Sequence, residues 1–230
     1  VLGGLLPFAA LRQDYQALQA QAIEHWRQRA MAIDRERRQV MLADGQCLAY
    51  DRLILAPGIA MRESALEGYH AAVAERMPHA WQGGSQTERL WRQLQAMEDG
   101  GLVIISVPEA PYRCPPGPYE RASLIAHYLK QHKPRSKLLI LDAKDRFSKQ
   151  ALFQQGWATH YGAAVEWVGR AGDGRVVAVD APGNALLSEF GERHRAAVIN
   201  LIPPQQAGQI AQQAQLCDAT GWVPIRAQTF

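Results

Sequence analysis

The apolar positions of the chain change period along its length, and each change marks a new kind of element. Leu11, Tyr15, Leu18 and Ala22 recur at the spacing of one helix face. Val40, Leu42, Leu48 and Tyr50 instead alternate about Asp44-Gly45, a strong short hairpin signal, and the return strand reads on through Leu53-Ile54-Leu55 to Gly58. From about residue 58 to 84 proline, glycine and histidine break any period, which places a domain boundary there. Leu90, Leu94 and Met97 then mark an amphipathic helix that stops at Gly100-Gly101. Beyond it, residues 102–107, 138–141 and 165–168 are apolar runs of strand length. Between them lie two helical stripes: Ala122, Ile125, Ala126 and Leu129, then Leu152, Phe153, Trp157 and Tyr161, the second capped by Ser148 and stopped at Gly162. Residues 176–179 and 185–187 alternate around Pro182-Gly183 as an antiparallel hairpin. Residues 198–202 read as one more buried strand, Ala207, Ile210, Ala211 and Ala214 as a helix, and Trp222-Val223-Pro224-Ile225 as strand-like. Strand, helix, strand, helix, strand is half of a doubly wound parallel sheet, so the expected class is α/β with an antiparallel hairpin add-on.

Composition narrows the function classes. The 230 residues allow one large domain or two modest ones. With 47% hydrophobic and 20% charged residues the chain is globular, and no apolar run approaches the ~18 residues of a membrane span. A net charge of +3 from 25 basic and 22 acidic residues gives no single-sign field strong enough to argue for nucleic acid or an anionic membrane, and neither is expected as a partner. Arg27, Arg29, Arg35, Arg37 and Arg38 are interrupted by Asp34 and Glu36 and read as a solvated face. Cys47, Cys114 and Cys217 lie far apart without CxxC spacing, which excludes a zinc knuckle and a disulfide-dense scaffold. His127 and His132 are five apart and do not stack on one helix face, so no metal site is expected. Opening on Val1 without an initiator Met and stopping at Phe230, the chain reads as an internal piece of a longer protein.

The loop after the first strand of the regular region carries the candidate chemistry. In a Rossmann-like dinucleotide domain this loop is GxGxxG, because bare backbone must approach a pyrophosphate at a helix N-terminus. Here it reads Val107-Pro108-Glu109-Ala110-Pro111-Tyr112-Arg113-Cys114-Pro115-Pro116-Gly117-Pro118, with five prolines and one glycine. Prolines remove the amide donors a phosphate needs. Cys114 occupies the place instead, ahead of a helix whose first-turn proline is Pro118 and beside Arg113; both neighbours favour a nucleophilic sulfur. Glu120, one turn in, is a proton acceptor within reach. The same residues also admit a plain reading, with Cys114 a small buried hydrophobe and Glu120 an acid favouring the helix dipole. Asp142 ends the second strand where an acid would hold a ribose, and without a glycine loop it reads as a turn acid.

Four strings bear a specific resemblance. Tyr50-Asp51-Arg52-Leu53-Ile54-Leu55-Ala56-Pro57-Gly58, Pro78-His79-Ala80-Trp81, Tyr112-Arg113-Cys114-Pro115-Pro116-Gly117-Pro118-Tyr119-Glu120-Arg121-Ala122-Ser123 and Asn200-Leu201-Ile202-Pro203-Pro204-Gln205-Gln206-Ala207-Gly208 resemble the flavoprotein (FAD-binding) subunit of flavocytochrome c sulfide dehydrogenase. The resemblance implies a two-domain flavin disulfide reductase architecture, truncated at both ends. Residues 1–66 would be part of the FAD-binding domain, 67–203 a nicotinamide-domain-like Rossmann domain carrying the redox cysteine, and 204–230 the return to the FAD domain. It further implies that Cys114 is one half of a redox-active disulfide attacked by sulfide and that Glu120 shares its pocket. Ala56, Pro57 and Gly58 would form the turn that meets FAD, with Ala30 counted among the cofactor contacts. The GxGxxG strand would precede Val1, and the partner cysteine and a Gly-Asp motif would follow Phe230. Cofactor, partner and compartment follow as expectations: FAD without NAD(P), a c-type cytochrome subunit receiving the electrons, and the periplasm. His79 reads as packing, and Cys47 and Cys217 as structural. Sulfide:quinone oxidoreductase, which would need a C-terminal membrane-binding helix, and a non-catalytic Rossmann-like docking module are the competing readings.

Overall fold

A computed structural model of the chain describes residues 1–11, 13–15, 18 and 21–229. They divide into two units, Arg12–Met61 with Gln205–Phe230, and Val1–Leu11 with Arg62–Pro204. Of the helix expected on Leu11, Tyr15, Leu18 and Ala22, residues 12, 16, 17, 19 and 20 lie outside the described residues; Leu11 closes a short 3-10 turn, Phe8–Leu11, and Ala22 takes φ +56°.

In the first unit, β1 (Ala30–Asp34), β2 (Gln39–Leu42) and β3 (Cys47–Ala49) form an antiparallel meander. The Asp44-Gly45 turn forms as its residues dictate: Gly45 takes φ +86°, the Asp44 carboxylate accepts the Gln46 N–H at 3.1 Å, and the Leu42 N–H reaches the Gln46 carbonyl at 2.8 Å. Asp34 organises the preceding turn in the same manner, accepting the N–H groups of Glu36 and Arg37 at 3.1 and 2.8 Å, and the surrounding arginines are exposed. The return strand is shorter than its apolar run predicts. Residues 53–58 make no ladder and Ile54 is 94% exposed, because an apolar run becomes a strand only where another strand satisfies its backbone. β4 (Ile59–Met61) follows.

The second unit is the regular one. After α1 (Ala71–Arg76) and α2 (Ser85–Ala96), β5 (Leu102–Val107), α3 (Gly117–His132), β6 (Lys137–Asp142), α4 (Gln150–His160) and β7 (Val165–Val168) alternate as the periodicity predicts. β8 (Val176–Asp180), β9 (Ala185–Ser188) and β10 (Arg193–Arg195) form a separate antiparallel sheet, and β11 (Val198–Leu201) returns to the parallel one. β10 was invisible in the periodicity because Arg193-His194-Arg195 is polar on both faces. The parallel sheet has the order β11-β5-β6-β7, with Ile104 opposite both Leu139 and Ile199. Ile104, Ile105, Ile140, Leu141 and Leu201 are inaccessible, the expected consequence of covering both faces of a parallel sheet. Ser148 does not cap α4: Lys149, at φ +62°, occupies the cap, and Leu152 is 67% exposed while Trp157 faces inward.

The chain then returns to the first unit, where β12 (Gln205–Ala207) pairs antiparallel with β4, and α5 (Gln209–Gln213) follows. Ala207 therefore belongs to a strand, not to the helix expected on it, and residues 222–225 form no strand. The strand order places β6 and β7 on one side of β5 and β11 on the other. The crevice of a doubly wound sheet opens at such a reversal, beyond the C-terminal ends of the strands, and the loop carrying Cys114 starts there.

Candidate functional site: a cysteine loop at the sheet crevice

The proline-rich loop is tied down by side chains from its flanks. The Lys144 ammonium donates to the Pro108 carbonyl at 3.0 Å and to the Asp142 carboxylate at 2.6 Å, and lies 4.9 Å from the centre of the Tyr112 ring. The Tyr112 hydroxyl donates to the Pro115 carbonyl at 3.0 Å, and burial pushes this phenol up to about 12. Cys114 stands between these supports at φ +59°, exposed, with its carbonyl accepting the Gly117 N–H at 2.9 Å. Exposure removes the buried-hydrophobe reading of Cys114. Glycine at 117 is a packing requirement: a Cβ there would lie 2.8 Å from the Trp81 ring and 3.1 Å from the Cys114 sulfur.

Trp81 belongs to a second support, and it explains the string Pro78-His79-Ala80-Trp81. The Trp81 Nε1–H donates to the Arg113 carbonyl at 3.2 Å, and the Arg113 guanidinium donates back to the Trp81 carbonyl. Arg121 donates to the carbonyls of His79 (2.8 Å) and Ala80 and to Asn200 Oδ1 (2.9 Å), with its guanidinium 4.7 Å from the centre of the Trp81 ring. Asn200, on β11, in turn donates to the Pro78 and His79 carbonyls at 2.7 and 2.9 Å. His79 is 6% exposed and accepts the Trp81 N–H on Nδ1 at 2.9 Å; burial, then the Arg121 charge, pushes it down to about 4.

That depression carries a pH dependence. Between pH 6.5 and 4 the unfolded chain binds a proton at His79 that the folded chain refuses, so stability is complete above 6.5 and is lost as pH falls toward 4. Thermal melts of the wild type and of His79→Asn, which keeps an acceptor there, should diverge in this window. The wild type should lose more Tm on acidification; parallel pH profiles would refute the assignment.

Cys114 and Glu120 come together in a cavity of about 410 Å³ whose walls include Trp81, Arg113, Arg121 and Leu124, with Leu2 from the first residues of the chain. Glu120 is exposed. Of the other cysteines, Cys47 is an exposed residue of β3 and Cys217 is half-buried; all three are free thiols. Asp142 is 0% exposed and points inward, accepting from Tyr119 Oη (2.6 Å), Trp167 Nε1 (3.0 Å), the Lys144 N–H (3.1 Å) and the Lys144 ammonium. Tyr119 stacks on Phe147 at 3.7 Å, with Phe153, Trp157 and Trp167 around them, and burial drives its phenol far above the usual tyrosine range. The acid at a ribose-binding position is thus consumed by the chain's own donors. Asp142 is more than the turn acid the sequence suggested, since only the Lys144 N–H is a local turn contact.

The turn Ala56, Pro57 and Gly58 lies in the other unit and is exposed. Gly58 takes φ +72°, a Cβ on it would meet nothing within 4 Å, and its carbonyl accepts the Gly208 N–H at 3.0 Å. Bare backbone at Gly58 leaves room for a ligand to approach this turn closely. Ala30 is placed on β1. Of Lys144, Tyr112, Asn200 and Arg121, the sequence marks three only as members of the four resembling strings and does not mark Lys144 at all.

The α/β fold, a parallel sheet joined to antiparallel hairpins, matches that of flavin disulfide and pyridine-nucleotide oxidoreductases. Among solved structures the chain is similar to the sulfide:quinone oxidoreductase of Aquifex aeolicus, at 18% identity and a TM-score of 0.67 over 89% of this chain and 48% of that one. It is also similar to putidaredoxin reductase in its covalent complex with putidaredoxin, at 22% identity and a TM-score of 0.66 over 94% of this chain and 50% of that one. A ferredoxin reductase from Rhodopseudomonas palustris matches at 18% identity with a TM-score of 0.62, over 90% of this chain and 48% of that one. The chain spans about half the length of these structures. Residues 87–203, just over half of the chain, match the family defined by the central region of the flavoprotein chain of sulfide dehydrogenase (flavocytochrome c), and the chain belongs to that family.

Proposed function

We propose that the chain is the central part of a sulfide-oxidising flavoprotein in which Cys114 is the reacting sulfur. The observation that carries this reading is the exposure of Cys114 in a cleft that also holds Glu120, on a loop held by side chains at both ends. Hydrosulfide attacks a disulfide that includes Cys114; a new sulfur–sulfur bond forms and the other sulfur leaves as thiolate with the electron pair of the broken bond. Glu120 holds or releases the proton exchanged by the incoming sulfur species. The turn Ala56, Pro57 and Gly58, with Ala30, would hold FAD, which when bound supplies a two-electron acceptor able to release electrons singly. A c-type cytochrome subunit in the periplasm is the proposed recipient. Family membership and the exposed glycine turn support the flavin, and the prolines of the loop and the consumed Asp142 support a domain that does not take NAD(P).

The full-length protein tests this directly. Anaerobic addition of sulfide should bleach its flavin spectrum, and added cytochrome c should then be reduced. NAD(P)H should leave the flavin oxidised and show no saturable binding. Bleaching by NAD(P)H but not by sulfide would refute the reading, and electron delivery only to a quinone would reassign the acceptor.

A further inference from the structure

Arg113 and Arg121 both line the cavity with Cys114 and Glu120, and the guanidinium of Arg113 is on the Trp81 carbonyl. The groups holding Arg121 are the His79 and Ala80 carbonyls, the Asn200 amide oxygen and the face of Trp81. All are neutral, and no ion pair among the described residues includes Arg121. Neutral acceptors fix the guanidinium in place without cancelling its charge, so the cleft retains a rigid cation beside an exposed sulfur. The two groups sense each other: burial pushes Arg121 down to about 10, and a charge on Cys114 pushes it back up.

We propose that Arg121 is the positioning residue of this cleft, its charge, paired with no carboxylate, drawing small anionic sulfur species, hydrosulfide and hydropolysulfide, to Cys114 in preference to neutral hydrogen sulfide or neutral thiols. The inference rests on Cys114 being the reacting sulfur. It adds a selection by charge to that chemistry, and the element performing it lies one helical turn beyond the loop. A cation fixed in a partly desolvated cleft favours an anion over its neutral analogue by roughly tenfold.

Charge selection is measurable without turnover. In the full-length protein, reduced and freed of reductant, Cys114 is alkylated by anionic iodoacetate or neutral iodoacetamide, its sulfur displacing iodide in both cases, and the rate is followed on the Cys114 peptide by mass spectrometry. Both reagents react with the thiolate, so their rate ratio cancels its population and reports the local field. The iodoacetate to iodoacetamide ratio at Cys114 should exceed that of the same cysteine in the denatured chain by roughly tenfold at low salt, and shrink as salt is added. Arg121→Met should bring the ratio to the denatured value, and Arg121→Lys should restore most of it. A wild-type ratio equal to the denatured one, or an Arg121→Met ratio equal to the wild-type one, overturns the proposal; the first outcome needs no variant that folds. Sulfide-dependent flavin reduction that survives Cys114→Ser would instead sink the functional reading, and leaves the alkylation ratio measurable on the wild type.

Discussion

Cys114→Ser in the full-length protein is expected to lower sulfide-dependent flavin reduction by roughly a thousandfold or more while leaving FAD bound, because a hydroxyl cannot form the sulfur–sulfur bond on which the proposed step depends. The change is small in volume and falls on an exposed residue, so folding should be unaffected. Rapid-mixing absorbance at the flavin band measures the rate, and the oxidised spectrum before mixing measures flavin content. Loss of rate with a normal spectrum assigns Cys114 a chemical role. Loss of both would give it a structural role, and retention of rate would remove it from the chemistry. Cys47→Ser, on the surface of the other unit, is the matched control and should change neither.

The largest effect on stability is expected at Asp142. Its carboxylate is wholly buried and accepts from Tyr119, Trp167 and both nitrogens of Lys144. Asp142→Ala leaves a buried phenol, a half-buried indole N–H and a half-buried ammonium without their acceptor. Breaking a buried pair in this one-sided manner costs about 3–5 kcal/mol. At about 2–4 °C per kcal/mol for a domain of this size, Tm should fall by roughly 10 °C. Tyr119→Phe, which removes one donor and keeps the stack on Phe147, should cost only about 1 kcal/mol. Calorimetry on the three proteins checks the order. A shift of a degree or less in Asp142→Ala would mean that the network contributes little. Lys144 links this network to the Pro108 carbonyl, so the same variant should also loosen the Cys114 loop, read as faster proteolysis within residues 108–116.

Residues 102–107 and 138–141 were legible because β5 and β6 lie inside the parallel sheet and are covered on both faces, which demands near-continuous apolar runs; β7, at the sheet edge, was legible from Val165, Trp167 and Val168, with Glu166 exposed between them. The Asp44-Gly45 hairpin was legible for an equally local reason, since its turn is closed by its own carboxylate and a glycine at positive φ. Cys114 stood out because prolines occupy positions where a phosphate-binding loop needs amides. What failed was whatever depends on a neighbour distant in sequence. Residues 53–55 have strand composition but no ladder, Ala207 lies in a strand because β4 is there to pair with it, and β10 is a strand because β9 is there to pair with it.

The site shows the same division. By itself the sequence determined that a cysteine, with a glutamate one turn into the following helix, would stand at the crevice of a doubly wound sheet, because strand, proline loop and helix are contiguous and their geometry is local. Only the tertiary structure decided what surrounds that sulfur. Arg113 is beside Cys114 in the chain, but its guanidinium turns to the Trp81 carbonyl, while Arg121, seven residues on, is anchored by carbonyls of residues 79 and 80 and by Asn200 from β11. Charge and hydrogen-bond partners are set by distance in space, and no periodicity in the sequence records which segments a fold of this topology brings within 3 Å of one another.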